Sequence, residues 1–173
     1  MAHRKSTKAI QDTCVAALKA LSHFDEATVT HLTLCPEQEQ FVDPIELVFS
    51  ELRSNSCPEL KHPFSIVAGN KVVGFFVLRE RTAVPEWAPP DVITLHGLRV
   101  GPAYQSNGYG MAAMRLAVQW ILTNRPCVDH LMLAVNARNG TARNLYLKSG
   151  FRDTGATYLG PVGIQNILEY EMR

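Results

Sequence analysis

Residues 92–110 read V-I-T-L-H-G-L-R-V-G-P-A-Y-Q-S-N-G-Y-G, and this stretch decides the fold. Its first nine residues are rich in β-branched and aliphatic side chains, so they predict a strand from Val92 to Val100. Gly101-Pro102 breaks that strand, and the apolar spacing over 108–124 predicts a long helix. A further strand is predicted over 128–135. A strand–helix–strand unit of this kind pairs its two strands in parallel, with a right-handed crossover.

The flanking sequence adds antiparallel pairing. Gly69-Asn70 is a turn signal between the apolar run 64–68 and the β-forming residues 71–78, so these residues predict a hairpin. Two more strands are predicted at the end of the chain, over 151–158 and 164–172. The expected fold class is therefore α/β (α+β), with a mixed, mostly antiparallel sheet that contains a parallel central pair and is flanked by helices.

The first third of the chain is predicted to be mainly helical. Apolar side chains recur at helical spacing over 6–24, which predicts an amphipathic helix packed on the domain or used as a dimer contact. Thr28 to Leu34 alternates polar and apolar residues and predicts a half-buried strand. Residues 37–53 again predict helix, and Pro44 should divide it into two short helices.

Length and charge restrict the function classes. The chain has 173 residues, which predicts one domain with a full core. We expect a helical extension at residues 1–27 and a single domain at residues 28–173. Lys plus Arg number 17 and Asp plus Glu number 16, so the formal charge is +1. A near-neutral chain has no bulk attraction to nucleic acid or to anionic membranes, so an anionic ligand must be bound by a local device.

The cysteines and the start of the chain give the expected compartment. The four cysteines are far apart, with no C-x-x-C pair and no histidine at metal-ligand spacing, so the pattern indicates neither a zinc site nor a disulfide framework. They are Cys14, Cys35, Cys57 and Cys127. Gln11, Asp12 and Lys19 interrupt the apolar stretch that a signal peptide would need. No apolar run approaches the roughly 20 residues of a membrane span. We expect a cytoplasmic protein with no bound metal.

Gln105 to Gly110 (Q-S-N-G-Y-G) lies between the predicted strand and the long helix. Two glycines there allow backbone N–H groups to converge at a helix N-terminus, which is a phosphate-binding arrangement that needs no Lys or Arg. It is not a Walker loop, because no Gly-Lys-Ser/Thr follows. It is not a dinucleotide fingerprint either, because position 113 is Ala. Taken alone, the segment is also compatible with a simple tight turn.

A second motif lies on the next helix, predicted over 139–149. Residues 139–151 read N-x-x-A-x-x-L-Y-x-x-x-G-F. Together with Q-x-x-G-x-G at 105–110, this chain resembles the GNAT superfamily of acyl-CoA-dependent N-acyltransferases over residues 28–173. Gln40-Phe41-Val42 and the hairpin opening further resemble the bacterial polyamine N-acetyltransferases.

The resemblance implies acetyl-CoA as the acyl-donor cosubstrate. In this superfamily the strand before the loop splays from its parallel neighbour, and the backbones of Leu98 and Val100 would bind the pantetheine arm. Asn139 would hydrogen-bond the cosubstrate, and Tyr146 would face its sulfur and protonate the departing thiolate, unless it is simply a core tyrosine. Backbone N–H groups of the loop would bind the pyrophosphate: Gln105, Ser106, Asn107, Gly108, Tyr109, Gly110 and Met111.

The acceptor amine must also lose a proton. An alkyl amine resembles Lys, with a pKa of about 10.4, so at pH 7 its neutral form costs roughly 4–5 kcal/mol. His96 is the first candidate base, because strand alternation predicts that it shares a face with Leu98 and Val100. A structural role for this histidine is equally open, and His31 is a weaker alternative. Four acidic residues could attract a cationic amine or form a solvated helix face: Glu37, Glu39, Glu46 and Glu51.

These observations lead to a functional hypothesis. The resemblance implies an enzyme that transfers an acetyl group from acetyl-CoA to a small amine or polyamine. Because no activated nucleophile is evident, we expect direct attack within a ternary complex. The alternatives are a protein N-terminal or lysine acetyltransferase, and an acyl-CoA-binding regulatory module without turnover. We expect a small-molecule amine partner, no nucleic acid or membrane partner, and a possible homodimer.

Overall fold

The computed structural model describes residues 15–173 and contains one seven-stranded mixed sheet in the order β1-β2-β3-β4-β5-β7-β6. The strands are β1 Ala16–Ala20, β2 Lys61–Ala68, β3 Lys71–Glu80, β4 Ile93–Val100, β5 His130–Asn136, β6 Arg152–Gly160 and β7 Gly163–Glu171. The helices are α1 Pro36–Glu39, α2 Ile45–Ser54, α3 Tyr109–Asn124 and α4 Gly140–Lys148. Among these residues, no helix is both long enough and apolar enough to cross a membrane.

The fold class expected from the sequence is confirmed. β4 and β5 are the parallel pair, and α3 is the crossover between them. The other neighbours in the sheet pair in antiparallel fashion. Gly69 has a φ of +61° in the tight turn between β2 and β3, which is the backbone conformation that its lack of a side chain permits. Pro44 immediately precedes α2, so it divides the helical segment as predicted.

Two predictions near the N-terminus were wrong. The described part of the helix expected over 6–24 contains the strand β1 instead. Residues 6–14 of that predicted helix lie outside the described residues. Ala16–Ala20 pairs with Ala68–Phe64 of β2, so tertiary pairing outweighs the helix propensity of Ala, Leu and Lys. The strand expected over 28–34 is a 3-10 turn and loop, in which Val29 and Leu32 are buried.

The sheet separates two hydrophobic cores. Adjacent residues of β3 point to opposite faces, and Phe76 and Phe75 accordingly belong to different cores. The core around Phe76 is covered by α3 and α4, and we refer to its side as the α3 face. The core around Phe75 is covered by α2, and we refer to its side as the α2 face. A site that spans the sheet can therefore receive one ligand from each face.

Candidate active site

The parallel strands separate at the centre of the sheet. β4 and β5 pair at Ile93↔Leu131 and Thr94↔Met132, and no further along the described chain. Beyond this point β4 continues beside β3 as far as Val100. β5 continues beside β7. The predicted splay is therefore present, and it leaves backbone groups on the facing edges of both strands available to an extended ligand.

A β-bulge lies on β4 at the splay. Phe75 pairs with Arg99 and Val77 pairs with His96, so two residues of β4 face the single residue between them on β3. Gly97 has a φ of +64° within this bulge, a conformation that favours glycine. The bulge changes which side chains share a face.

The prediction that His96 shares a face with Leu98 and Val100 was therefore wrong. Leu98 and Val100 pack against the core of the α3 face. His96 lies opposite Val77, which belongs to the core of the α2 face. Cross-strand partners point to the same side of a sheet, so His96 lies on the α2 face.

His96 is held by a neighbour on its own strand. Its Nε2 lies 2.7 Å from Oγ1 of the buried Thr94. When Nε2 carries the proton, it donates to Thr94 and leaves Nδ1 as an acceptor. Burial lowers the pKa of His96 well below its ordinary value, and the charges of Arg79 and Lys61 lower it further. The imidazole is therefore neutral near pH 7, as a proton acceptor must be.

His31 does not join this group. It is exposed, and its Nε2 lies 2.9 Å from the carbonyl oxygen of Val72, near the β2–β3 turn. Val72 lies at the start of β3, whereas Arg79, whose charge acts on His96, lies near the end of that strand.

The loop before α3 has the backbone conformation expected of an anion-binding turn. Ser106 and Gly108 both have left-handed φ values, of 65° and 82°. Gly108 is the N-cap residue of α3, so the free N–H groups of the helix begin here. The side chain of Gln105 donates from Nε2 to the carbonyl of Val100 at 2.9 Å and also pairs with Gln38 of α1. The Gln105 side chain thus anchors the loop to the end of β4, and its backbone remains the candidate ligand group.

Gly110 has a packing role that the sequence did not reveal. A Cβ on this residue would lie 2.9 Å from Cδ2 of Leu145, which is closer than real Cβ contacts allow. Gly110 therefore accommodates the Leu145 side chain of α4 against the first turn of α3. Leu145 precedes Tyr146, so this close approach fixes the segment that carries the candidate acid.

Tyr146 is buried with its ring packed edge-on against Phe151, at a centroid distance of 5.8 Å. Its hydroxyl has no hydrogen-bond partner within residues 15–173. Burial raises the pKa of Tyr146 well above its ordinary value, so the group keeps its proton at physiological pH. A protonated and unpartnered hydroxyl is suited to hydrogen-bonding a thiolate.

Asn139 caps α4. Its Oδ1 accepts a hydrogen bond from the backbone N–H of Ala142 at 3.3 Å. This contact satisfies one free donor of the first turn. The Nδ2 group makes no hydrogen bond within the part of the chain that the structure describes, so it remains available to a ligand.

The acidic residues differ in their surroundings. Glu51 lines a cavity of about 430 Å³ at the end of α2, together with Lys61 and the turn after β3. Glu39 instead accepts from the N–H of Leu34 and lies 3.8 Å from the buried Arg99. Glu37, Glu46 and Glu51 are all exposed, and Glu51 is distinguished by the cavity that it lines. Glu51 is therefore the best placed of the four to meet an acceptor.

Comparison with known proteins identifies the family. The model of the "Acetyltransferase (GNAT) family" matches residues 26–151. The chain belongs to the GNAT acetyltransferase family. An uncharacterized N-acetyltransferase of Bacillus subtilis (strain 168), YbbJ, is 34% identical over 112 residues, covering 64% of this chain and 70% of that protein. The GNAT assignment makes this chain an acyltransferase enzyme.

Solved structures show the same fold. AAC(6')-Ib in complex with paromomycin and acetyl-CoA has a TM-score of 0.73 at 17% identity, covering 90% of this chain and 93% of that one. Spermidine N-acetyltransferase from Vibrio cholerae, in complex with CoA and spermine, has a TM-score of 0.70 at 15% identity, covering 91% and 95%. At such identities the likeness establishes the fold and does not define the acceptor.

Proposed function

We propose that this enzyme moves the acetyl group of acetyl-CoA to a small primary amine by direct attack in a ternary complex. The main observation that supports the proposal is the splay of β4 and β5, with Tyr146 on the α3 face and His96 on the α2 face. This arrangement separates a proton donor from a proton acceptor across one opening. The donor and acceptor substrates can then approach from opposite faces of the sheet.

The residues of the splay fit acetyl-CoA as the donor. The edge of β4 at Leu98 and Val100 offers backbone groups to the pantetheine amides. The turn from Gln105 to Gly108 and the first N–H groups of α3 suit the pyrophosphate. The amide of Asn139 and the hydroxyl of Tyr146 offer two further donors. Bound acetyl-CoA supplies the acetyl group and a thiolate leaving group.

Tyr146 and His96 have complementary roles in this reaction. Tyr146 donates its hydroxyl hydrogen bond to the sulfur as the carbon–sulfur bond breaks. Because its pKa is raised, this contact stabilises the thiolate more by hydrogen bonding than by complete proton transfer. His96 accepts the proton that the nitrogen loses as the carbon–nitrogen bond forms. Its low pKa makes it a poor base toward a free ammonium, so the amine attacks in its neutral form.

A polyamine is one candidate for the small-amine acceptor. Its support is Glu51, whose carboxylate lines the cavity beside the α2 face and could attract an ammonium. A protein N-terminus or lysine side chain is the alternative acceptor, and an acyl-CoA-binding module without turnover is the alternative from a different class.

The test measures release of free thiol from acetyl-CoA with a panel of alkylamines, diamines, amino acids and lysine peptides. Turnover with a small amine supports the proposal, whereas turnover with peptides alone supports the protein acceptor. Binding of acetyl-CoA without turnover of any acceptor supports the binding module. Intact-mass analysis after incubation with acetyl-CoA alone should show no acetylated enzyme, because direct attack forms no covalent intermediate.

A further inference from the structure

A row of polar side chains crosses the sheet on the α2 face. Lys61 pairs with Arg79 across β2 and β3, and Arg79 pairs with Thr94 across β3 and β4. Cross-strand partners share a face, so these three residues lie on the side that also carries His96. Thr94 connects the row to His96 through the 2.7 Å hydrogen bond. Two cations therefore lie beside the candidate base.

Neither cation has a direct partner in the described chain. The Lys61 ammonium and the Arg79 guanidinium make no hydrogen bond or ion pair with residues 15–173. Arg79 is partly buried, and its Nε atom is fully buried without a partner. A buried donor without an acceptor destabilises a folded protein. The terminal nitrogens of Arg79 also lack a partner within residues 15–173, so the whole guanidinium is available to a ligand.

Arg99 shows what a structural arginine on the same face looks like. It is buried, and its guanidinium donates to the carbonyl of Leu32 at 3.2 Å and to the carbonyl of Asp43 at 2.6 Å. It also lies 3.8 Å from Glu39. The Nε atom of Arg99 is also buried without a partner, but its terminal nitrogens tie β4 to the segment before α2, whereas those of Arg79 make no comparable contact within residues 15–173.

One of the two cations, Lys61, faces a cavity that also contains an acid. Lys61 lines the cavity of about 430 Å³ together with Glu51 and Thr82. Burial and the charge of Arg79 lower the pKa of Lys61, while the charge of Glu51 opposes this effect. Glu51 and Asp43 also act on Arg79 electrostatically, although neither forms an ion pair with it. The cavity thus presents Lys61 from the sheet and a carboxylate from α2, and Arg79 lies next to Lys61 on the sheet.

We propose that the acceptor is a short amino carboxylate, whose carboxylate binds Arg79 and Lys61 while its amine lies at His96. This inference rests on the proposed function. A guanidinium binds a carboxylate through two parallel hydrogen bonds, and a nearby ammonium adds a further charge-assisted contact. His96 and Arg79 are diagonal neighbours on adjacent strands, with Cα atoms about 7–8 Å apart. The carboxylate therefore lies a few bonds from the amine.

The same cations disfavour a polyamine in this position. A second ammonium would lie beside Arg79 and Lys61, and like charges at short range repel. The cations also favour the neutral form of the reacting amine, because they destabilise an ammonium next to His96. An amino carboxylate gains the ion pair and delivers a neutral nucleophile at the same site.

The kinetic test compares matched acceptors. Glycine, β-alanine, 4-aminobutyrate and 5-aminovalerate are each compared with the alkylamine of equal chain length. The measured ratio is the kcat/KM of the amino carboxylate divided by the kcat/KM of the alkylamine. The wild type should prefer at least one amino carboxylate over its amine. Arg79→Gln should reduce that ratio about 10- to 100-fold, the loss expected for a charge-assisted contact. Arg79→Lys should restore part of it.

Lys61→Gln should reduce the ratio less than Arg79→Gln, because it removes one point charge. Lys71→Gln is the matched control, since Lys71 is an exposed cation at the other end of β3. The ratio reports the contribution of the substrate carboxylate alone, because a change in the basicity of His96 affects both acceptors alike. A ratio near one in the wild type, or a ratio that Arg79→Gln leaves unchanged, would overturn the inference.

A binding readout separates this inference from the proposed function. The Nε–H resonance of Arg79 is followed by ¹⁵N NMR in the CoA complex during titration with 4-aminobutyrate or with n-butylamine. A shift with 4-aminobutyrate alone supports carboxylate binding even if no acceptor is turned over, in which case only the proposed function fails. No shift with either probe overturns the carboxylate site, whether or not alkylamines are acetylated.

Discussion

A Cβ placed on Gly110 would lie 2.9 Å from Cδ2 of Leu145, so the present packing of Leu145 against α3 requires that position 110 carry no side chain. Gly110 lies in the first turn of α3, beside the candidate pyrophosphate site. Leu145 precedes Tyr146 on α4. One close approach thus sets the position of the candidate acid relative to the anion-binding turn.

Gly110→Ala should destabilise the wild-type protein, because overpacking costs about 1–3 kcal/mol. In a Leu145→Ala background the same change should stabilise the protein by up to about 1 kcal/mol, since the clash is gone and Ala favours helix over Gly. Urea denaturation of the four proteins of this cycle measures the reversal of sign. Gly140→Ala is the control, because a Cβ on Gly140 would meet nothing within 4 Å. Equal effects in both backgrounds would contradict the packing role.

Gly108→Ala should weaken acetyl-CoA binding more than it weakens the fold. Gly108 has a φ of +82°, and a Cβ there would meet no protein atom within 4 Å. Ala should therefore cost about 1–2 kcal/mol of backbone strain and also place a methyl group where the pyrophosphate is proposed to bind. Calorimetric titration with acetyl-CoA measures the affinity.

Gly155→Ala is a closely matched control for Gly108→Ala. Gly155 has a φ of +81°, again with open space around its Cβ, and it lies on β6. The two variants should lose similar stability, and only Gly108→Ala should lose affinity. Equal affinities in both would remove the pyrophosphate assignment.

Tyr146→Phe should lower kcat by about 10²-fold or more if hydrogen bonding to the departing thiolate limits the rate. The free energy of unfolding should change little, because the hydroxyl has no partner within residues 15–173. Steady-state kinetics and thermal unfolding provide the two measurements. Tyr158→Phe serves as the control, since it removes an exposed hydroxyl that donates to Glu86 at 2.8 Å and lies outside the candidate site. A fully active Tyr146→Phe enzyme would show that the thiolate leaves without this group.

The sequence predicted those parts of the fold whose signals are local. A turn signal at Gly69-Asn70 and an apolar repeat over 108–124 each act within a few residues. β1 was misassigned because its Ala, Leu and Lys residues favour helix locally, while its pairing with β2 joins residues nearly fifty positions apart.

The candidate site was predictable only in part, for similar reasons. Both motifs located the turn before α3 and the helix that carries Tyr146. Gly97 was a visible signal for a bulge, because a glycine inside a strand often marks one, but simple alternation placed His96 on the wrong face. Lys61 and Arg79 carried no local signal. Their proximity to His96 arises from strand register, which the sequence alone does not define.

The activity should depend on pH through the ionisation of His96. His96 must be neutral to accept a proton, so kcat/KM should rise with pH through its pKa. Burial and the charges of Arg79 and Lys61 lower that pKa, so this limb should lie well to the acid side of the ordinary histidine value of about 6.5. The ionisation of the acceptor amine adds a second limb at higher pH.

Variants assign the two limbs in pH profiles of kcat/KM measured with two acceptors of different pKa. His96→Ala should abolish the acid limb, and His31→Ala should leave it in place. Arg79→Gln removes a cation that disfavours the protonated imidazole, so it should move the acid limb to higher pH, whereas Lys71→Gln should not move it. Changing the acceptor should move the upper limb alone, because that limb belongs to the substrate. If the profile of His96→Ala overlays that of the wild type, the proton leaves the amine by another route and His96 has a structural role.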